Sequence, residues 1–407
     1  MGLDVDYVSV SSTHVHETRD TIGIWGADFA TSGVDLAYND SINHKIAEAV
    51  RDGIAALEPS HIQYARTQLR DQPGGTLRYV GDARDPMIID DEIRIMRFTG
   101  ATSGETIATL VNYAGHPEVT GESNQLISSD YPHWLRDGVE NGIDLADGTV
   151  MPGVGGICVF FQGALGVQIG PSRSSPIDYD GTPLNIRGER TATVLGERLA
   201  QFVLTALGDS SGSVTDETAA LGFRNYEFLV TIQNRAYHIG FQQNLFHRPT
   251  LNNDPELPIR PGYNEPQINT EIAIIDIGRS QIITVPGELD PSLFVGGYDG
   301  AYTPEGHTPL DPGRTENPPD LTMAPAAPYI RDLARDDAEY VYLFGLAQDQ
   351  LGYFVPPYDY ELSRASPYLI QPEGSHYEET NSIGIDGWPR IADKLTQLLA
   401  WRPTAAP

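Results

Sequence analysis

The order of extended and helical apolar patterns is the feature that most limits the folds open to this chain of 407 residues. Helical patterns, which alternate with strand-like runs, cover residues 42–57, 185–207 and 388–401. The strand-like runs lie at residues 5–12, 62–69, 91–98, 106–113, 156–161, 222–232 and 340–346. Two further runs, 271–277 and 281–285, are separated only by three residues beginning with Gly278, which indicates an antiparallel hairpin. We therefore predict an α/β fold: a mixed β-sheet core flanked by helices, forming one main domain.

The charge balance excludes several classes of partner. The chain has 26 basic and 56 acidic residues, a formal net charge of −30. Nucleic acid and anionic membranes carry the same sign of charge and are repelled. No apolar run reaches the roughly 18 residues of a membrane span, so none is predicted. The charge therefore argues against these partners more than it argues for any, and nothing in the composition indicates an oligomeric state.

Two histidines suggest half of a metal site. His14 and His16 stand two residues apart at the end of the first strand-like run, so their side chains are expected on one face. Paired imidazoles at a strand end suit zinc, which prefers nitrogen donors in a tetrahedral arrangement. The alternative is a pair of surface histidines engaged in ordinary hydrogen bonds.

Three further residues are candidates only in combination with that pair. His116 follows the strand-like run 106–113 and lies between Gly115 and Pro117, and the proline restricts its backbone. Glu288 comes just after a strand-like run and a Pro-Gly turn, and Tyr353 follows a glycine. Each of these residues, taken alone, is more often structural than a metal ligand.

Seven short segments carry a family resemblance across residues 8 to 395. They are Ser-Thr-His-Val-His (12–16), Leu-Val-Asn-Tyr-Ala-Gly-His-Pro (110–117), Ser-Ser-Asp (128–130), Phe-Gln-Gly-Ala-Leu-Gly (161–166), Pro-Gly-Glu (286–288), Gly-Leu-Ala-Gln-Asp-Gln-Leu-Gly-Tyr (345–353) and His-Tyr-Glu-Glu-Thr (376–380). In this order they resemble the successive motifs of the neutral/alkaline non-lysosomal ceramidase family, as in a divergent bacterial or archaeal member.

The resemblance implies a domain organisation and a location. It predicts a single ceramidase-like catalytic domain over residues 1–407, without the family's earlier N-terminal segment and without its C-terminal immunoglobulin-like domain. It also implies a secreted or periplasmic protein, although no signal peptide is visible in the sequence.

The resemblance also implies roles for individual residues. A Zn²⁺ ion would be bound by His14, His116, Glu288 and Tyr353. His16 and Tyr377 would act at the reacting carbonyl, where they would bind the substrate or stabilise the oxyanion. Independently of the family, Asp130 has the chemistry to hydrogen-bond a ligand histidine, with a helix N-cap as the equal alternative.

One departure from the family pattern concerns the nucleophile. The family places a serine in a Gly-Asp-Val-Ser-Pro loop, whereas this chain has Gly170 immediately before Pro171 and its nearest serine, Ser172, just after it. Water activated by the metal is therefore the expected nucleophile, and Ser172 is the less favoured one. The resemblance thus implies zinc-dependent hydrolysis of an amide, N-acyl and ceramide-like, or of an ester, in a small-molecule or lipid-like substrate.

Two other functions compete with this prediction. An amidohydrolase on a TIM barrel also uses a His-X-His strand end, but only Lys45 and Lys394 are available as the bridging lysine, and eight regular βα units are not visible. A catalytically inactive relative that still binds metal is the second alternative, which the absent serine favours.

Overall fold

The computed structural model describes residues 5–28, 30–145, 147–170, 175–254, 256–258, 260, 263–314, 318–362 and 374–401. The α-helices in this part of the chain are α1 Leu36–Ala55, α2 Asp130–Asn141, α3 Glu189–Gly208, α4 Arg235–Gln242, α5 Pro291–Val295, α6 Tyr377–Thr380 and α7 Gly387–Ala400. The strands are β1 Ser60–Gln68, β2 Gly81–Asp82, β3 Glu92–Gly100, β4 Thr106–Tyr113, β5 Gly142–Asp144, β6 Val150–Pro152, β7 Ile157–Gln162, β8 Gln168–Ile169, β9 Val214–Asp216, β10 Leu221–Thr231, β11 Gln267–Ile277, β12 Ser280–Thr284, β13 Glu288–Leu289, β14 Tyr340–Phe344 and β15 Tyr353–Phe354.

Two mixed sheets form the core. The first has five strands in the order β7-β4-β3-β1-β9, and only the β4–β7 pair in it is parallel. The second has four strands in the order β10-β11-β12-β14, and only the β12–β14 pair is parallel. The predicted hairpin is confirmed, because β11 and β12 pair with Ile277 opposite Ser280.

The sheets and helices stack in four layers. Alternate residues of a strand face opposite sides, so Ile95 of β3 packs under α2 and α3 while Met96 faces the second sheet. Likewise, Tyr342 of β14 packs between the sheets while Leu343 faces α7. The predicted α/β class, a mixed sheet core flanked by helices, is confirmed.

The first strand-like run, residues 5–12, forms no strand. Its one ladder contact is an isolated bridge between Ser11 and Ala347. The side-chain amide oxygen of Gln348 accepts from the backbone N–H of Val10 at 2.7 Å, so a side chain replaces a ladder bond. The alternating pattern was therefore correct for an extended segment but wrong for a strand.

Helix α1 begins at Leu36, six residues before the predicted start. Asp35 caps it by accepting from the backbone N–H groups of Ala37 and Tyr38. The TIM-barrel alternative is wrong, because antiparallel pairs dominate both sheets, whereas that barrel is built from eight parallel strands. Within the described residues, the structure has no helix long and apolar enough to cross a membrane.

The layering yields a stability prediction for two isoleucines of the first sheet. Ile95 is fully buried on the inner strand β3, while Ile157 on the edge strand β7 is 63% exposed. Ile95→Ala leaves a cavity between β3 and the helices, so it should lower the free energy of unfolding by about 2–5 kcal/mol. Ile157→Ala should stay within about 0.5 kcal/mol. Chemical denaturation measures both, and equal losses would contradict the layering.

Candidate metal centre

Three histidine rings converge where the N-terminal segment crosses the end of β4. His14, His16 and His116 each offer a ring nitrogen, and these nitrogens lie within 4.8 Å of one another. The ring centroid of His14 is 4.7 Å from that of His16 and 4.9 Å from that of His116. The rings therefore meet although residues 5–12 form no strand, because tertiary contacts and not a ladder hold the segment.

Glu288 lies between two of these rings. Its Oε2 is 3.2 Å from Nε2 of His14 and 3.2 Å from Nε2 of His116. The parallel pairing of β13 with β15 sets Glu288 opposite Tyr353, whose hydroxyl is 3.3 Å from Nε2 of His116. The four side chains that the resemblance proposes as ligands thus lie together in the structure.

Two glutamines orient this group from outside. The side-chain amide of Gln350 donates to Oε1 of Glu288 at 2.6 Å, leaving Oε2 directed at the histidines. Nδ1 of His116 lies 3.1 Å from the carbonyl oxygen of Gln168, and since a carbonyl can only accept, Nδ1 carries the proton and donates. Nε2 of His116 then presents a lone pair to the site, the usual arrangement of a metal-binding histidine.

The ring nitrogen of His14 favours a bound cation. The backbone of His14 has a φ of +65°, which is uncommon for residues other than glycine, although histidine is among those that adopt it more readily. Its Nε2 is buried without a hydrogen-bond partner, although it lies near Glu288. Leaving such an atom unsatisfied costs about 1–3 kcal/mol. Two imidazole nitrogens and a carboxylate oxygen are donors that fit zinc, and the phenol oxygen of Tyr353 would be a rarer fourth.

The pKa values show how the charges at the site depend on one another. Burial alone would raise the pKa of Glu288, but His14 and His116 hold it well below its usual range. Burial would lower the pKa of His116, yet Glu288 raises it overall. Burial and the two neighbouring histidines lower the pKa of His16 to about 3, so His16 is neutral near pH 7. Burial and Glu288 raise the pKa of Tyr353 well above its ordinary value.

Two of the other predicted residues, His16 and Tyr377, lie beside the four. His16 has its Nδ1 3.5 Å from Oε2 of Glu118, a residue that the sequence analysis missed. Tyr377 opens α6, its ring centroid lies 5.9 Å from that of Tyr353, and it is half exposed. Ser172 lies outside the described residues.

Asp130 holds a backbone segment instead of a histidine. Its Oδ2 accepts from the backbone N–H of Thr120 at 2.7 Å and from the hydroxyl of Thr120 at 3.0 Å. Its Oδ1 accepts from the backbone N–H of Tyr131. The expected bond to a ligand histidine is not among these contacts, because Asp130 bridges the loop after His116 to the start of α2. Asp130 is the first residue of α2, and the N-cap position of that helix is Ser129.

Three residues at the site, Gln168, Gln350 and Glu118, could not be identified from the sequence. Gln168 contributes its backbone carbonyl, so its residue type carries no information about that role. Gln350 and Glu118 lie within or beside the quoted segments, but a glutamine or glutamate in a loop has many ordinary roles. The contacts of these three residues become visible only in the three-dimensional structure.

Comparison with known proteins gives similarity of fold alone. No protein-family model matches the sequence, and no curated protein matches it. The neutral ceramidase from Pseudomonas aeruginosa superposes with a TM-score of 0.62 at 13% identity, covering 98% of this chain and 62% of that chain. A ceramidase complexed with C2 superposes with a TM-score of 0.51 at 12% identity, covering 87% and 56%. This chain therefore has a ceramidase-like fold and spans about three fifths of the length of those neighbours.

The coupling between Glu288 and His116 is testable in metal-free protein. Glu288→Gln removes the charge that opposes burial, so the pKa of His116 should fall from above its ordinary value to below it. A raised pKa stabilises the fold at low pH, and that stabilisation is lost as pH rises through the folded-state pKa. NMR titration of the ring protons measures the shift.

His238 is the internal control for this titration. It is also buried, and its Nε2 lies 2.6 Å from the carbonyl oxygen of Ile232, so its pKa should not change in the variant. An unchanged pKa at His116 in Glu288→Gln would contradict the described electrostatics.

Proposed function

We propose that this chain is a zinc-dependent hydrolase that cleaves an amide bond, N-acyl and ceramide-like, or an ester. The observation that carries the proposal is the convergence of His14, His116, Glu288 and Tyr353, with Nε2 of His14 buried and unsatisfied. Two solved structures of the same fold bear the name ceramidase, which supports a related reaction.

The residues divide the chemistry between them. A bound zinc ion polarises a carbonyl and allows water to act as the nucleophile at neutral pH. His14, His116, Glu288 and Tyr353 would hold the ion. Tyr377, which is half exposed beside Tyr353, would donate a hydrogen bond toward the developing oxyanion, and His16 is the proposed second donor. Gly170 stands where the family's serine would be, which favours water over a serine nucleophile.

His16 has a competing role as a third nitrogen ligand. It belongs to the group of three histidines whose ring nitrogens converge. If Nδ1 of His16 donates toward Glu118, Nε2 carries a lone pair and suits a metal; in the other tautomer it serves as a donor. We favour the donor role, because Glu288 and Tyr353 already complete a four-ligand set with the other two histidines.

Exposed aliphatic side chains flank the centre and favour a substrate with an apolar group. Leu126, Ile127 and Ile186 are 75%, 81% and 79% exposed. Their segments adjoin the centre, because the N–H of Ser128 donates to the carbonyl of Glu17 at 3.1 Å and that of Gly188 to Val119 at 2.8 Å. A hydrocarbon chain lying across these residues would remove their surface from water, so a lipid-like N-acyl amide is the proposed substrate.

Two parts of the proposal concern the chain as a whole. We propose that residues 1–407 act as one catalytic domain, although the neighbours of the same fold are longer. The net charge of −30 predicts that nucleic acid is not a partner. A metal-binding protein without activity remains the competing function, and turnover on any amide or ester excludes it.

Metal content is the first test. Wild-type protein should contain about one zinc per chain by elemental analysis, and His116→Ala should contain none, because it loses a nitrogen ligand. His16→Ala should keep the metal and lose activity if His16 is a donor. His238→Ala, a change at a buried histidine that is not among the proposed ligands, should keep both metal and activity. Absence of metal in wild type after incubation with zinc would refute the enzyme proposal.

The nucleophile is tested by a single substitution. Ser172→Ala should leave the rate of amide or ester hydrolysis nearly unchanged, because water attacks the carbonyl in the proposed mechanism. Tyr377→Phe in the same assay should lower kcat by about 100-fold or more, the usual cost of losing an oxyanion donor. A fall of several orders of magnitude in Ser172→Ala would identify a serine nucleophile instead.

A further inference from the structure

We propose that Gln162 is a positioning residue that sets the spacing of the two histidine-bearing segments, and with it the affinity for metal. The inference rests on the proposed metal site. Gln162 is the last residue of β7 and is completely buried. It touches neither the histidine rings nor Glu288 through its described hydrogen bonds, so its effect would pass through the backbone.

The amide of Gln162 joins two segments that are far apart in sequence. Its Nε2 donates to the carbonyl of Thr13 at 2.9 Å and to the carbonyl of Gly115 at 3.0 Å. Thr13 immediately precedes His14, and Gly115 immediately precedes His116. One side chain therefore holds the peptide groups on which both histidines are carried.

The direction of the amide follows from its partners. Both hydrogens of Nε2 are used by carbonyl oxygens, and Oε1 lies 3.4 Å from the backbone nitrogen of Gly115, which donates to it. In the reversed orientation, Oε1 would face two other acceptors, which is repulsive. The hydrogen-bond network thus selects one rotamer and leaves no donor of the amide unused.

The segment carrying His14 depends on such contacts more than a strand would. Residues 5–12 form no strand, and His14 has a φ of +65°, which the surrounding contacts must maintain. Other described ties are the N–H of Ser12 to the carbonyl of Leu346 at 3.1 Å and that of His16 to Pro117 at a longer 3.4 Å. Compared with these two ties, the Gln162 contact lies next to His14 and also reaches the residue before His116 at 3.0 Å.

A change that keeps the size but removes the hydrogen bonds separates positioning from packing. Gln162→Met should weaken zinc binding by about tenfold or more, as loss of supporting contacts around metal ligands does. Competition with a chelator measures the dissociation constant. The visible spectrum of the cobalt-substituted protein should shift as well, because the nitrogen ligands change geometry. The side chain of Gln162→Asn is shorter and can bond at most one of the two carbonyl oxygens. Its zinc affinity should therefore lie between those of Gln162→Met and wild type, and this variant replaces Gln162→Met in the test if the latter does not fold.

Gln281→Met is the matched control. Gln281 is also completely buried, and it donates to Oδ1 of Asp276 at 2.6 Å and accepts from the N–H of Arg335, away from the centre. Gln281→Met should lower stability against urea, as Gln162→Met does. Its zinc affinity should stay within about twofold of wild type, and its cobalt spectrum should be unchanged. Zinc affinity that is equal in the Gln162 variants and wild type would overturn the inference while leaving the proposed function intact.

The metal-free protein keeps the inference testable if wild type binds no zinc. In that case the proposed function is wrong, and the imidazole resonances of His14 and His116 report on spacing directly. Gln162→Met should shift or broaden both signals and leave that of the buried His238 in place. Unchanged signals for His14 and His116 would refute the positioning role.

Discussion

The buried carboxylate of Glu288 is the constraint on which the arrangement of the centre depends. Glu288 is only 4% exposed, and a buried charge is tolerated only when partners compensate it. Here His14 and His116 approach one oxygen and Gln350 donates to the other. Each partner comes from a different part of the chain, so the requirement to satisfy one carboxylate fixes three loops relative to one another.

The four-layer stack explains why those loops meet. Each of the two large sheets has one parallel strand pair, β4–β7 in the first and β12–β14 in the second. The sheets pack face to face, with the rings of Phe161 and Phe344 stacked at 4.0 Å. The N–H of Gly345 donates to the carbonyl of Gln162 at 3.0 Å, so β7 and β14 end beside each other. A Cβ on Gly345 would lie 2.6 Å from the carbonyl oxygen of Gly163, which is why this contact requires glycine. Chain segments leaving these strand ends carry His116, Glu288 and Tyr353 to one place.

The same arrangement separates the ligands from their supports. Each of the proposed ligands lies within 3.3 Å of Glu288 or His116. The glutamines that orient them are held at strand ends and turns and contact the ligands or the adjacent backbone from outside. Buried polar networks of this kind are unfavourable unless every member is satisfied. The described partners of Gln162, Gln168 and Gln350 satisfy them, while Nε2 of His14 stays unsatisfied. That nitrogen faces Oε2 of Glu288 at 3.2 Å, so a cation bound between the two would complete the network.

The sequence by itself determined the element types of the core and the chemistry available at the centre. Periodicity located strands such as β1, β3 and β4 and the hairpin at Gly278 because alternation and turn chemistry are local properties. It misplaced residues 5–12, where an extended pattern forms no ladder, and it left open the role of Asp130, which in the structure accepts from Thr120. Tertiary structure alone decided that Gln162, Gln168 and Gln350 support the centre and that His16 faces Glu118. The longest of these contacts, from Gln162 to Thr13, joins residues 149 positions apart. Contacts that depend on how two sheets pack produce no periodic pattern in the sequence, so local analysis does not detect them.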